Sequence, residues 1–268
     1  MHSASAFYVT PAALSRAFMI TSLTIAANAR AQHIGDVAVS TSGGIIATNA
    51  FTESGNIAER VFGTTFGDTG VARFTSNPGF DAIPGTFNTG SRVGFTPLAG
   101  LRRFTGTSVE PVSTERLQIK FLTLTSVIGI DPAPGFDLAV QSNGGWHRHF
   151  NFTLFAEGGK LPSSGLYVAE FELYANDGVT LPSLPFWVVY NDARSAAELA
   201  EAVAWVKANL VDDAQACPAD FDRDGEVGAP DLSVILGAWG TADADLDGDG
   251  LTGAADLSAV LASWGACP

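Results

Sequence analysis

The sequence predicts a mainly β protein: an antiparallel β-sandwich or jelly-roll domain, then one amphipathic helix, then a small α-helical domain. Three observations carry this expectation. Short β-branched and aromatic runs are divided by Gly, Pro and Asn; one later stretch keeps helical periodicity; and an aspartate-rich segment near the end occurs twice.

Residues 1–31 combine Arg16, the apolar run AFMITSLTIAANA and two small-residue cleavage patterns, Ala27-Asn28-Ala29 and Ala29-Arg30-Ala31. They read as a secretory signal peptide whose apolar run is too short for a membrane span. Cleavage after Ala31 leaves Gln32-His33 at the mature end. No later segment reaches about 18 uninterrupted apolar residues. The expected product is therefore secreted, extracellular or associated with the cell surface, with no membrane span.

Residues 32–192 form the expected β domain. Runs such as ERVFGTTF, ERLQIKFLTLTSVIGI, WHRHFNFTLFAE, GLYVAEFELYA and LPFWVVYN alternate with turn signals, the texture of an antiparallel sandwich or jelly roll. Within GLYVAEFELYA, Leu166, Val168, Phe171 and Leu173 do not keep one parity, which implies a bulge or burial on both faces. Residues 193–211 hold the helix. Ser195 and Glu198 have capping-box spacing, and Leu199, Val203, Val206 and Leu210 make an apolar stripe that should pack on the sandwich. Residues 212–216 are the expected linker to residues 217–268.

The repeat lies in this last segment. ADFDRDGEVGAPDLSVILGAWG (219–240) aligns with the end of ADADLDGDGLTGAADLSAVLASWG (242–265), and chance does not readily reproduce such spacing twice. Crowded carboxylates repel unless a cation neutralises them. Both copies fit a calcium loop in which positions 1, 3, 5 and 12 offer side-chain oxygens, position 7 offers a carbonyl, and position 6 is Gly for a sharp turn. The candidate ligands are Asp220, Asp222, Asp224, the Glu226 carbonyl and Asp231, then Asp245, Asp247, Asp249, the Leu251 carbonyl and Asp256. Two Ca2+ ions are expected. Position 12 is Asp in both loops, and each loop is followed by one short helix, LSVILGAW or LSAVLASW.

A tandem pair of such units resembles a type I dockerin over residues 217–268. The resemblance implies a calcium-dependent module that attaches a secreted protein to a cohesin-like or other extracellular scaffold domain. Positions 10 and 11, often hydroxylated and partner-reading in cellulosomal dockerins, are Ala229-Pro230 and Ala254-Ala255 here. The only cysteines, Cys217 and Cys267, bracket the repeat. If the two units pack face to face, their ends meet and a disulfide closes the module; two free thiols are the alternative. A staple and a metal are what so small a domain needs.

The chain carries a net charge of −14. Residues 217–268 hold nine aspartates and Glu226 against Arg223 alone, so −9 of that charge belongs to the loops. With Lys120, Lys160 and Lys207 as its only lysines, the protein suits neither nucleic acid nor an anionic membrane.

Past the leader, the histidines are His33, His147 and His149. On one strand His147 and His149 share a face with Asn151, while Arg148, Phe150 and Phe152 point the other way. With His33, they form a candidate Zn2+ or Cu2+ site in the β domain, with Asp36 as a further ligand or a partner to one. Exposed strand histidines with local hydrogen bonds are the alternative. WHRHFNFTLF followed by GLYVAEFEL resembles bacterial surface-anchored proteins of the choice-of-anchor M type, which implies surface association and a link to metal uptake. HIGDVAVS matches their opening strand imperfectly, because Gly35 precedes Asp36.

Enzyme signals are thin. There is no Gly-x-Ser-x-Gly, no His-Glu-x-x-His and no phosphate loop. Glu170 and Glu172 share a strand face, which suits solvated neighbours better than a glycosidase pair flanking a sugar. The expectation is a non-catalytic binding or surface-assembly protein. A carbohydrate-active enzyme or polysaccharide-binding component delivered by its dockerin is the alternative, with polysaccharide as its ligand; zinc or copper handling by the β domain is another.

Overall fold

The computed structural model describes residues 35–42, 44–211, 217–222 and 226–267. The signal peptide, His33, the expected linker 212–216 and Asp224 lie outside the described residues. The architecture is mainly β, with several sheets and few helices.

One sheet holds β1 (Val37–Ser42), β2 (Ile45–Thr52), β3 (Gly55–Ala58), β6 (Phe80–Ala82) and β13 (Trp146–Arg148), in the order β13-β6-β1-β2-β3. A second holds β5 (Phe74–Thr75), β10 (Glu115–Phe121), β11 (Leu124–Ile128) and β14 (Asn151–Ala156), in the order β11-β10-β14-β5. The third runs β12 (Asp137–Ala139), β7 (Arg92–Pro97), β15 (Gly165–Ala175), β16 (Phe186–Asp192), β4 (Val61–Thr65). On it, β8 (Arg102–Phe104) pairs β15 and β9 (Val109–Pro111). Pairing is mostly antiparallel, but β1 with β6 and β16 with β4 are parallel.

The main core draws on all three sheets, with Val37, Phe80 and Trp146 from the first, Leu117, Phe152 and Leu154 from the second, and Phe95, Tyr167 and Phe186 from the third. Phe150 sits among them at 1% exposure, its ring within 5.3–6.4 Å of Phe80, Phe95, Phe121, Phe136, Trp146 and Phe152. That plug corrects the expectation of a single strand through His147, His149 and Asn151. The chain leaves the first sheet after Arg148 and enters the second at Asn151, because burying Phe150 between the sheets requires a corner there.

β15 resolves its parity puzzle by burial on both faces. Tyr167, Ala169, Phe171 and Leu173 enter the main core, while Leu166 and Val168 enter a second cluster on the reverse side. Its register with β16 runs unbroken from Gly165↔Asp192 to Phe171↔Phe186, so no bulge interrupts that pairing. The second cluster lies beneath helix α1 (Ala196–Asn209), where Ala202 and Val206 are buried against Val61, Trp187 and Val189. α1 starts as its sequence suggests. Ser195 Oγ accepts the Glu198 N–H at 3.2 Å, and Glu198 Oε2 accepts the Ser195 N–H at 2.8 Å.

The C-terminal segment carries helices α2 (Ala229–Gly237) and α3 (Ala254–Ala262) and a two-stranded pair, β17 (Glu226–Val227) with β18 (Gly265–Ala266). Its own small core comprises Ala219, Val227, Ile235, Ala238, Ala244 and Val260. Cys217 and Cys267 form a disulfide, 50 residues apart in sequence with Cα atoms 5.7 Å apart.

Candidate metal centres

The two acidic loops are built to a common plan. Asp231 Oδ1 accepts the N–H groups of Phe221 (2.5 Å) and Asp222 (3.2 Å), and its Oδ2 accepts that of Gly228 (2.7 Å). Asp256 does the same 25 positions later, with Leu246 at 2.7 Å, Asp247 at 3.2 Å and Gly253 at 2.6 Å. Each carboxylate therefore closes its loop and caps the N-terminus of the helix that follows, α2 or α3. Three of its roughly four lone-pair sites are spent on backbone. Asp231 and Asp256 are buried, at 0% and 1% exposure, a depth tolerable for a carboxylate only because these donors satisfy it.

The units also exchange backbone. Val227 at loop position 8 pairs with Gly265 on β18, and Thr252, its counterpart, donates to Thr241 O at 2.5 Å and accepts from Gly240 at 2.9 Å. Each loop is thus tied to the Trp-Gly end of the other unit. This reciprocal crossing brings the ends of the segment together, so that Cys217 and Cys267 can bond.

Carboxylate oxygens from Asp220, Asp222 and Asp231 lie within 4.8 Å of one another, as do those of Asp245, Asp247 and Asp249. In the second loop Asp245 also accepts from Gly248 and Gly250, each at 2.7 Å, and Gly250 has φ +93°, the turn that position 6 requires. The crowding is visible in protonation. The Asp249 N–H pulls the Asp247 carboxyl down, but desolvation and the charges of Asp249, Asp256 and Asp245 leave it above its ordinary value. Asp256 is held below its ordinary value by the N–H groups of Gly253, Leu246 and Asp247. Oxygen-only donors at this density match a hard divalent cation.

The histidine cluster is built differently. β13 pairs with β6 so that His147 lies directly opposite Asp81, and His147 Nδ1 donates to Asp81 Oδ1 at 3.1 Å. His149, just past the end of β13, donates from Nδ1 to the Ser76 carbonyl at 3.0 Å. The two rings stand 5.2 Å apart, centre to centre. His149 lies flat against Gly79, where a Cβ would come within 2.3 Å of its Cε1. Asp36, immediately before β1, accepts the Gly79 N–H through Oδ1 at 2.7 Å and turns Oδ2 toward His149 Nε2 at 3.8 Å.

His147 and His149 thus meet as the sequence suggests, although across a corner rather than along one strand. Asp81, Ser76 and Gly79 carried no sequence signal, because their proximity depends on β6 pairing with β13 across more than 60 residues. Glu170 is engaged by Arg102 at 2.6 Å, on the face of β15 opposite the main core. No family model matches the chain, and no curated protein matches it.

Proposed function

We propose that this chain is an exported, non-catalytic protein in which a β-sandwich region, residues 32–192 with its helix to 211, binds a ligand or assembles on a surface. Residues 217–268 serve as its calcium-dependent, dockerin-like attachment module. The observation that carries this reading is the duplicated clamp, in which Asp231 and Asp256 hold equivalent backbone N–H groups beside clusters that share the aspartates of loop positions 1 and 3, Asp220 with Asp222 and Asp245 with Asp247. With Ca2+ bound, the ion neutralises carboxylates that otherwise repel, so binding free energy becomes folding free energy.

An attachment role is supported by what the segment leaves on its surface. Leu236 and Trp239 are about half exposed, and so are their repeat counterparts Leu261 and Trp264. Paired apolar side chains of this size suit docking on a cohesin-like or other extracellular scaffold domain. The disulfide fits an oxidising compartment. A polysaccharide-cleaving β region gains no support from Glu170, which is tied to Arg102.

Equilibrium dialysis of the full chain against trace Ca2+ tests the reading. Two ions per chain are expected, one fewer in Asp222→Ala, one fewer in Asp247→Ala and none in the double variant. A wild-type chain that retains no calcium, or a double variant that retains both ions, overturns it.

A further inference from the structure

We propose that His147 and His149 form a second, chemically distinct metal seat in the β region, taking one borderline divalent transition ion, Cu2+ or Zn2+, through their Nε2 atoms.

The argument begins with tautomers. A carbonyl oxygen can only accept, so the 3.0 Å contact with Ser76 puts the His149 proton on Nδ1. The Asp81 carboxylate does the same for His147 at 3.1 Å. With Nδ1 carrying the proton, Nε2 is the nitrogen of each ring that can offer a lone pair to a metal. An imidazole oriented through Nδ1–H by a carboxylate or carbonyl, with Nε2 as donor, is how proteins prepare histidine for a metal.

Spacing agrees with chemistry. Two imidazoles on one tetrahedral ion, with nitrogens about 2.0–2.1 Å from the metal, place their ring centres about 5 Å apart. The observed separation is 5.2 Å. The rings are also accessible, with side chains 40% and 36% exposed, while the carboxylates behind them are more deeply set, at 20% for Asp81 and 7% for Asp36. Ligands facing solvent over buried negative charge give an ion both an entry path and charge compensation. Asp36 Oδ2, at 3.8 Å from His149 Nε2, is beyond hydrogen-bond length but close to the ~3.3 Å that two donors on one tetrahedral ion subtend.

No group of three His, Cys, Asp or Glu donors that includes both rings lies mutually within 4.8 Å among the described residues. Imidazole donors select Cu2+ or Zn2+ over Ca2+, whereas the aspartate loops have the opposite preference, so the two kinds of site do not compete at ordinary ion concentrations.

The test is Cu2+ binding to the full chain held in saturating Ca2+, read by equilibrium dialysis and by nitrogen hyperfine structure in electron paramagnetic resonance. The wild-type chain is expected to retain one more Cu2+ than the His147→Gln/His149→Gln variant and to show two-nitrogen coupling that the variant lacks. Gln keeps a side-chain N–H donor, and the far-ultraviolet circular dichroism of the variant checks its fold. Asp81→Asn, which leaves both rings in place, should weaken Cu2+ by about 10–100-fold. Equal copper in wild type and double variant, or a signal with one nitrogen only, overturns the proposal.

Discussion

The β region and the C-terminal segment solve the problem of stability in opposite ways. The first buries Trp146, Tyr167, Tyr190, Phe150 and Phe186 almost completely, in a core shared by three sheets. The second, among its described residues, has six buried apolar side chains in its core, the largest being Ile235, Val227 and Val260, and depends on a disulfide and buried carboxylates that hold its backbone. Apolar burial scales with size, so a segment of about 50 residues cannot rely on it alone. The difference teaches why charge is concentrated where the core is smallest: there aspartates are also structural members.

This contrast can be broken from either side. The largest effect should come from Phe150→Ala, which removes a ring packed against six aromatic neighbours and should cost about 3–5 kcal/mol. Chemical denaturation should show that loss in the β region, while calcium stoichiometry at the loops stays unchanged. If stoichiometry falls with it, the two regions are not independent.

Replacing both cysteines, Cys217→Ser with Cys267→Ser, opens a loop of 50 residues and should cost about 4 kcal/mol in the chain-entropy account. Hydrogen exchange should locate the loss in residues 217–267, with β15 and β16 still protected, and added Ca2+ should restore part of it by linkage. Uniform loss of protection across the chain would contradict the contrast.

The smallest effect is a pH response confined to the β region. Burial first, then the charges of Glu115 and Asp192, push the Tyr167 hydroxyl up to about 12, against the opposing pull of Arg103 and Arg73. Because the folded value lies above the unfolded one, this stabilisation is complete below about pH 10 and is lost as pH rises toward 12. Alkaline denaturation of wild type against Tyr167→Phe should therefore converge as pH climbs through that window, with the C-terminal segment indifferent to the change.

Legibility followed sequence distance. The Ser195–Glu198 capping box spans three residues and appears as its spacing implies. The short helix after each copy of the repeat was also readable as a local turn of chain, although the helices begin at Ala229 and Ala254, three residues before the runs LSVILGAW and LSAVLASW. The disulfide was readable only conditionally, since it required the units to pack so that their ends meet. The strand through His147, His149 and Asn151 was read too simply: alternation gives each residue a face but does not say to which sheet that face belongs, and Phe150 turns the chain from one sheet to another.

By itself, then, the sequence determined the mainly β class, the capped helix, the duplicated aspartate spacing and the adjacency of two histidines, all set by φ/ψ preferences and side-chain periodicity over a few residues. Only the tertiary structure decided that Asp81 faces His147, that Gly79 makes room for His149, and that Asp231 and Asp256 give most of their hydrogen-bonding capacity to backbone. Those choices depend on which strands pair and which groups are buried together. Strand pairing closes loops of dozens of residues for a small difference in free energy, and no local pattern encodes its outcome.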